Sequence, residues 1–317
     1  MKKWVMLAAL ALSVRVVAAQ QAQPGAQEYL AGEDAFKKGD VDGAIASLEK
    51  SVAAGGPVAA HYYLGMAYQK KQNAAKAAEH LEKYVAAQPT VVDAQFRLAM
   101  TLRALNKNDE AVQHFAKVIE LKPEIAEPYY FVGRHAYTAK KYDEATSRLQ
   151  KFLQLKPDSP QAAEAYYMLG HMSVMKAAES ADPADNERAK PHLEKFLQLK
   201  PDSPLAGDAY FMLGTIAAKK VEALEPPEGT KPTPEAKAAM TEQYTAAKNS
   251  LTKFLELKPT SPQAPAAHFT LGSLAIRMED DAAARMHFEK FLQLEPAGPQ
   301  SEEVKKIVAE LKANQKK

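Results

Sequence analysis

Histidine is the side chain in this sequence best suited to ligate a metal or pass a proton near neutral pH, and the chain has eight. Their spacing speaks against both roles. His80, His114, His192 and His287 recur at one position of a repeating helical pattern, and stacked copies would hold them too far apart for a single ion. The chain contains no cysteine, which removes disulfides, thiolate ligands, a cysteine nucleophile and a lipid carried on cysteine. The phosphate loop G-x-x-x-x-G-K-[ST], the elbow G-x-S-x-G and the zinc helix H-E-x-x-H do not occur. Carboxylates and lysines interleave along helix faces, as on a solvated surface. No catalytic residue, metal site or cofactor is expected. The chemistry that remains is recognition.

Charge narrows the partner. Lys+Arg number 41 against 39 Asp+Glu, so no strongly basic face is expected and nucleic acid is set aside. Lys2 and Lys3, the apolar run over residues 4–12 and the small residues Val17, Ala18 and Ala19 read as a signal peptide, residues 1–19. The run is too short to cross a bilayer and Arg15 interrupts it, so no membrane span is expected after cleavage; a retained anchor is the alternative. Residues 20–25 form a polar leader. The mature chain is expected to be exported, to a bacterial periplasm or beyond.

The elements that must position a recognition surface follow a beat of about thirty-four residues. In residues 126–159, Tyr129, Val132, Gly133 and Ala136 make one helical stripe, and Ala145, Leu149, Phe152 and Leu153 make a second. Lys140 to Asp143 are expected to turn between them, and Pro157 to stop the second helix. Neither helix can bury its stripe alone, so copies must stack.

The pattern resembles the tetratricopeptide repeat, W-x2-L-G-x2-Y, then A-x3-F, then P. Leu64-Gly65, Tyr68, Ala77, Leu81 and Pro89 fit it, as do Leu98-Ala99, Ala111, Phe115 and Pro123, and Val132-Gly133, Ala145, Leu149 and Pro157. Leu169-Gly170, Ala189, Leu193 and Pro201 continue it, with Leu213-Gly214, Ala247, Leu251 and Pro259 and then Leu271-Gly272, Ala284, Phe288 and Pro296. A weaker first copy has Ala31-Gly32, Ala44 and Leu48. The resemblance implies an all-α, right-handed superhelical solenoid of about seven helix-turn-helix repeats over residues 26–297. A capping helix and tail would follow over residues 298–317, with Val304, Ile307, Val308 and Leu311 on its buried face.

Three departures from the beat carry expectations. Ser159-Pro160, Ser203-Pro204 and Ser261-Pro262 should cap their helices and start them about one turn early. Residues 177–185 and 222–235 fall between the two helices of a copy and read as solvated loops on one edge. The recurrence of FLQLKPDSP at Phe152 and Phe196, and of FLELKPTSP at Phe254, suggests internal duplication.

In the family the first helices line a concave groove, and the residue after the signature aromatic position faces into it. Carried over position by position, the resemblance places Tyr29, Tyr62, Phe96, Tyr130, Tyr167, Phe211 and Phe269 there, all aromatic. Arg103, Arg134, Tyr137 and His171 join them by the same mapping. The rings could contact an extended peptide, or they could serve packing alone. The lysine and asparagine set with which some members clamp a terminal carboxylate is missing. The expected function is a non-catalytic scaffold in the cell envelope, binding a protein or peptide partner during assembly or maintenance. The alternative is an accessory subunit docking a catalytic partner in a polysaccharide or secretion system. Neither the partner nor the oligomeric state can be read from the sequence.

Overall fold

Apolar residues at three-to-four spacing, broken by proline at the end of each second helix, give the chain its elements. The computed structural model describes residues 24–180, 183–227 and 230–314, which are helical with connecting turns and contain no strand. The expected signal peptide, residues 20–23 of the leader and residues 315–317 of the tail lie outside the described residues, as do parts of both insertions. The chain divides into two compact units at Pro157 and Asp158.

The first unit holds α1 (Ala26–Lys38), α2 (Val41–Ala53), α3 (Ala59–Lys70), α4 (Ala74–Ala87), α5 (Val92–Ala104), α6 (Asn108–Leu121), α7 (Ala126–Thr138) and α8 (Tyr142–Leu155). The second holds α9 (Ala162–Ser180), α10 (Pro183–Leu199), α11 (Ala206–Ala223), α12 (Pro234–Leu257), α13 (Ala264–Arg277), α14 (Asp281–Leu294) and α15 (Ser301–Asn314). Each odd-numbered helix up to α13 packs against the helix that follows it.

One contact recurs inside these pairs. A side chain at Gly65 would place its Cβ 2.6 Å from Cγ of Leu81, at Gly170 2.6 Å from Leu193, and at Gly214 2.5 Å from Leu251. Gly133 meets Leu149 in the same way, and Gly272 meets Phe288. Glycine is therefore needed for close approach, not for backbone freedom. The alanine four residues before each of these large side chains is completely buried at Ala77, Ala145, Ala189, Ala247 and Ala284. Leu48 and Phe115 also reach the following pair, so the same residues join neighbours within a unit.

Five pairs share one turn. The N–H of Asn73 donates to the carbonyl of Tyr68 and that of Gln72 to Gln69, a Schellman closure of α3. The same pair of bonds ends α1, α5, α7 and α13. Its left-handed position is glycine only at Gly39; Gln72, Asn106, Lys140 and Glu279 adopt it with φ near +60°. Asp40, Asn73 and Asp280 then accept a backbone N–H and cap the second helix. Around Lys140 the turn is residues 139–141, one step earlier than expected, because Tyr142 and Asp143 already belong to α8.

Two expectations need correction. The Ser-Pro steps do not begin helices. Ser203 and Ser261 accept the N–H two residues on, through the hydroxyl, and their carbonyls accept from Ala206 and Ala264, which closes a turn ahead of α11 and α13. The helix starts just two residues after the proline. It reaches one residue further ahead of the ladder ring than α7 does, not a whole turn.

The first insertion is not a loop where it is described, whereas the second is a solvated loop over residues 224–227 and 230–233, with helix at its two ends. Residues 177–180 continue α9 and residues 183–185 open α10; only residues 224–233 separate α11 from α12. Thr233 caps α12 by accepting the N–H of Ala236, with Pro234 in the first turn. The added turns carry their own apolar side chains. Val221 and Met240 are buried with Ala217, Ala218, Ala247 and Leu274, and Tyr244 packs against them. The polar composition around Pro226-Pro227 disguised the helices on either side. At the end of the second unit α15 buries Val304, Val308 and Leu311 against Phe288, Phe291 and Ala275.

Burial sets a pH limit on this core. His61 and His80 bring their Nδ1 atoms to 2.8 Å, and His268 and His287 to 3.1 Å, so one ring donates and the other accepts. Burial lowers the pKa of all four, and of His114, His171 and His192, with the neighbouring imidazole adding to it at His80 and His287. His287 falls from 6.5 to about 4. A depressed pKa means that the unfolded chain binds more protons, so stability is present above about pH 6.5 and is lost as pH falls toward the folded values. Between about pH 6.5 and 5 most carboxylates stay ionised, and the melting midpoint should drop there. A flat midpoint across that window would contradict the placement of these imidazoles.

The glycine contact gives a second prediction. Gly214→Ala gains helix propensity of about 1 kcal/mol yet overpacks Leu251, for a net loss of about 1–2 kcal/mol. Gly214→Ala with Leu251→Ala should cost less than the sum of the single changes in urea denaturation, because the second removes the obstruction. Additive costs would show that the two positions do not touch.

Candidate peptide-binding face

The seven mapped rings occupy equivalent places on seven first helices: Tyr29, Tyr62, Phe96 and Tyr130 on α1, α3, α5 and α7, and Tyr167, Phe211 and Phe269 on α9, α11 and α13. Six are half-buried; Tyr130 is only 4% exposed. What holds them is a second ring, seven residues after the repeat alanine on the second helix. Tyr62 packs on Tyr84 with centroids 5.0 Å apart, Tyr130 on Phe152 at 5.2 Å, Tyr167 on Phe196 at 5.2 Å, Phe211 on Phe254 at 5.0 Å and Phe269 on Phe291 at 5.5 Å. Tilted and edge-on geometries like these suit the charge distribution of the rings.

Two places lack that partner. Val118 stands there in α6, and Phe96 meets Phe115 edge-on instead. Ser51 stands there in α2, where its hydroxyl donates to the carbonyl of Gly25, and Tyr29 leans on Tyr63 of α3. Each ladder ring thus has one face in the core. Part of the rest is open at six of the seven positions, so packing and exposure coexist at the same side chain.

The polar rim is mostly committed. Tyr62 donates its hydroxyl to Asp93, which also pairs with Arg97 at 2.5 Å. Tyr63 donates to Glu33 at 2.6 Å, and Glu33 pairs with Lys37, which lowers the pKa of its carboxyl. Thr215 donates to the Met212 carbonyl of its own helix. His171 stacks on Tyr167, and its pKa is lowered by burial against the opposing pull of Asp208. Tyr137 is half-buried, and burial raises its phenol. Arg103 lies flat on Phe131, its guanidinium carbon 3.8 Å from the ring centroid, and Arg134 stands 5.9 Å from the ring of Tyr130.

Two kinds of residue on this face escaped sequence reasoning. Tyr63 and Phe131 follow ladder positions directly; Tyr63 packs on Tyr29 and Phe36 of the preceding first helix, and Phe131 on Phe115 of the preceding second helix at 4.9 Å. The second-helix rings Tyr84, Phe196, Phe254 and Phe291 support the ladder, and the recurring FLQL and FLEL strings were the visible signal for the three phenylalanines. The recurring histidines pair within their own helix pairs, His114 with Gln95 at 2.7 Å and His192 against Tyr166. Among the described residues no group of three or more His, Asp or Glu could hold a metal ion, and no helix is long and apolar enough to cross a membrane.

The ladder therefore contains two energetic classes. Tyr130→Ala removes a buried ring and should cost about 3–5 kcal/mol in urea denaturation. Phe211→Ala, at a half-buried ring, should cost less than half as much. Equal costs would mean that the open part of Phe211 is no more available than Tyr130.

Tetratricopeptide-repeat family models match residues 29–92, 96–160 and 265–297, and the model of the outer-membrane lipoprotein YfiO matches residues 130–226. No curated protein is found to be similar. Among solved structures the chain resembles YrrB, a tetratricopeptide-repeat protein with an unusual peptide-binding site, at 20% identity over 73% of this chain and 100% of that one, TM-score 0.49. It also resembles the C-terminal part of a repeat-containing protein from Cytophaga hutchinsonii, at 15% identity over 87% and 98%, TM-score 0.48. A third likeness is to a repeat protein from Parabacteroides merdae, at 14% identity over 90% and 98%, TM-score 0.44. The repeat models cover about half of the residues and fall on the helix pairs described above. The chain belongs to the tetratricopeptide-repeat family.

Proposed function

We propose that this protein is a non-catalytic scaffold of the bacterial envelope, which holds a peptide segment of a partner protein along the face of its first helices. The observation that carries the reading is the set of half-exposed rings at one helical position in each unit: Tyr29, Tyr62 and Phe96 in the first, Tyr167, Phe211 and Phe269 in the second. Rings fixed from behind by other rings lose little further entropy when a peptide covers them, and they offer large apolar area. Family membership supports interaction as the activity. The leader sequence supports export, and the match of residues 130–226 to an outer-membrane lipoprotein family is compatible with an envelope location.

The test uses the full chain expressed in a bacterium. The exported protein should begin at Gln20 on N-terminal sequencing; a retained leader or residence in the cytoplasm would remove the envelope part of the proposal. For the face, Tyr62→Ala/Phe96→Ala is compared with the parent in capture from envelope extract, after equal helicity and melting midpoint are verified. Tyr130 is left intact because its loss would unfold the scaffold. A partner retained by the parent and lost by the variant supports the face; equal retention by both overturns it.

A further inference from the structure

Arg103 and Arg134 differ from the other charges around them. Asp93 is held by Arg97 and Tyr62, Asp109 by His135 at 3.2 Å, and Glu110 by Lys107. Arg103 and Arg134 have no carboxylate partner among the described residues; Arg103 has only the sulfur of Met100 within reach, at 3.7 Å. Both guanidinium groups instead stand over rings that are themselves packed together, Phe131 and Tyr130, with centroids 5.3 Å apart. The charge that Arg103 feels most is like its own. Burial and then Arg134 lower its pKa, with only the Tyr130 phenol acting the other way. Two like charges kept close without a counter-ion form a site whose free energy an anion would lower.

The surroundings define which anion. A guanidinium stacked on a ring keeps its N–H edge free and its plane fixed, which suits the two oxygens of a carboxylate. Met100 is exposed, and Phe96 and Phe131 are half-buried, so apolar surface adjoins the charges. We propose that Arg103 and Arg134 together form an acceptor for an aspartate or glutamate side chain, so that this face of the first unit selects a peptide in which an acidic residue adjoins apolar ones. The assignment rests on the face being a peptide site. It differs from the lysine and asparagine clamp of other family members, which this chain lacks, in using a ring-backed arginine pair.

The probe is an array of random short peptides with amidated C-termini, read with fluorescently labelled full chain, and a duplicate array with free C-termini. The parent should retain peptides enriched in Asp or Glu next to Leu, Phe or Met on both arrays. Arg103→Gln/Arg134→Gln should lose that enrichment and bind the best acidic peptide about tenfold or more weakly. Arg134→Gln alone, at a half-exposed residue without an ion pair, should leave the melting midpoint unchanged and give a partial loss, so a folding defect cannot imitate the result. Retention without acidic preference, or acidic preference that survives in the double variant, overturns the acceptor while leaving the scaffold reading in place. Preference confined to free C-termini overturns the side-chain assignment. Arginine-dependent binding of a labelled dT oligonucleotide without acidic-peptide preference also overturns it. A parent that retains no peptide on either array overturns both readings.

Discussion

A missing side chain sets the distance between helices in this protein. At Gly65, Gly133, Gly170, Gly214 and Gly272 the backbone of a first helix rests directly on a leucine or phenylalanine of the second, with no room for a Cβ between them. Much else depends on that approach. It fixes which residues of the second helix can reach the face of the first, and so brings a ring seven positions beyond the buried alanine under five of the seven ladder aromatics. It also leaves the histidine three positions beyond that alanine opposite the residue just before the ladder, where it finds His61, Gln95, Tyr166 or His268. One close contact thus orders three rows of side chains.

The row of half-buried rings follows from this arrangement rather than being added to it. A ring that packs on one side to hold a helix pair together remains partly uncovered on the other at six of the seven positions. Only where extra cover exists, as at Tyr130 between Phe131 and Phe152, does the ring withdraw fully into the core. Arg103 and Arg134 stand beside that position.

The helix pairs, their small-residue contacts and the closing helix were legible because each rests on local spacing that repetition amplifies. The ladder positions were legible for the same reason, and their support was not. Whether Phe196 or Phe254 touches a first-helix ring depends on the crossing of two helices, which no single stretch of sequence specifies. The end of the second insertion misled for a different reason. Pro226, Pro227 and Pro234 lie within a few residues of one another, and prolines so clustered read as loop. However, Pro234 stands in the first turn of α12, where its missing N–H costs nothing. Ser203 and Ser261 misled similarly: serine followed by proline fits a helix start and a tight turn alike, and the backbone beyond decides. The pair Arg103 and Arg134 was visible by position, but that they have no carboxylate partner among the described residues is a property of the folded face.

The lengthened helices of the second unit change how that unit comes apart. In an array whose members touch only their neighbours, opening spreads from the ends, and each pair is as durable as its own contacts allow. The pair α11 and α12 has an additional store of buried side chains at Val221 and Met240, fastened on its rim by Arg277 to Glu222 and Glu225. It therefore acts as a brake within the second unit. Fraying that begins at α15 meets resistance there, and amide protons inside α11 and α12 exchange last.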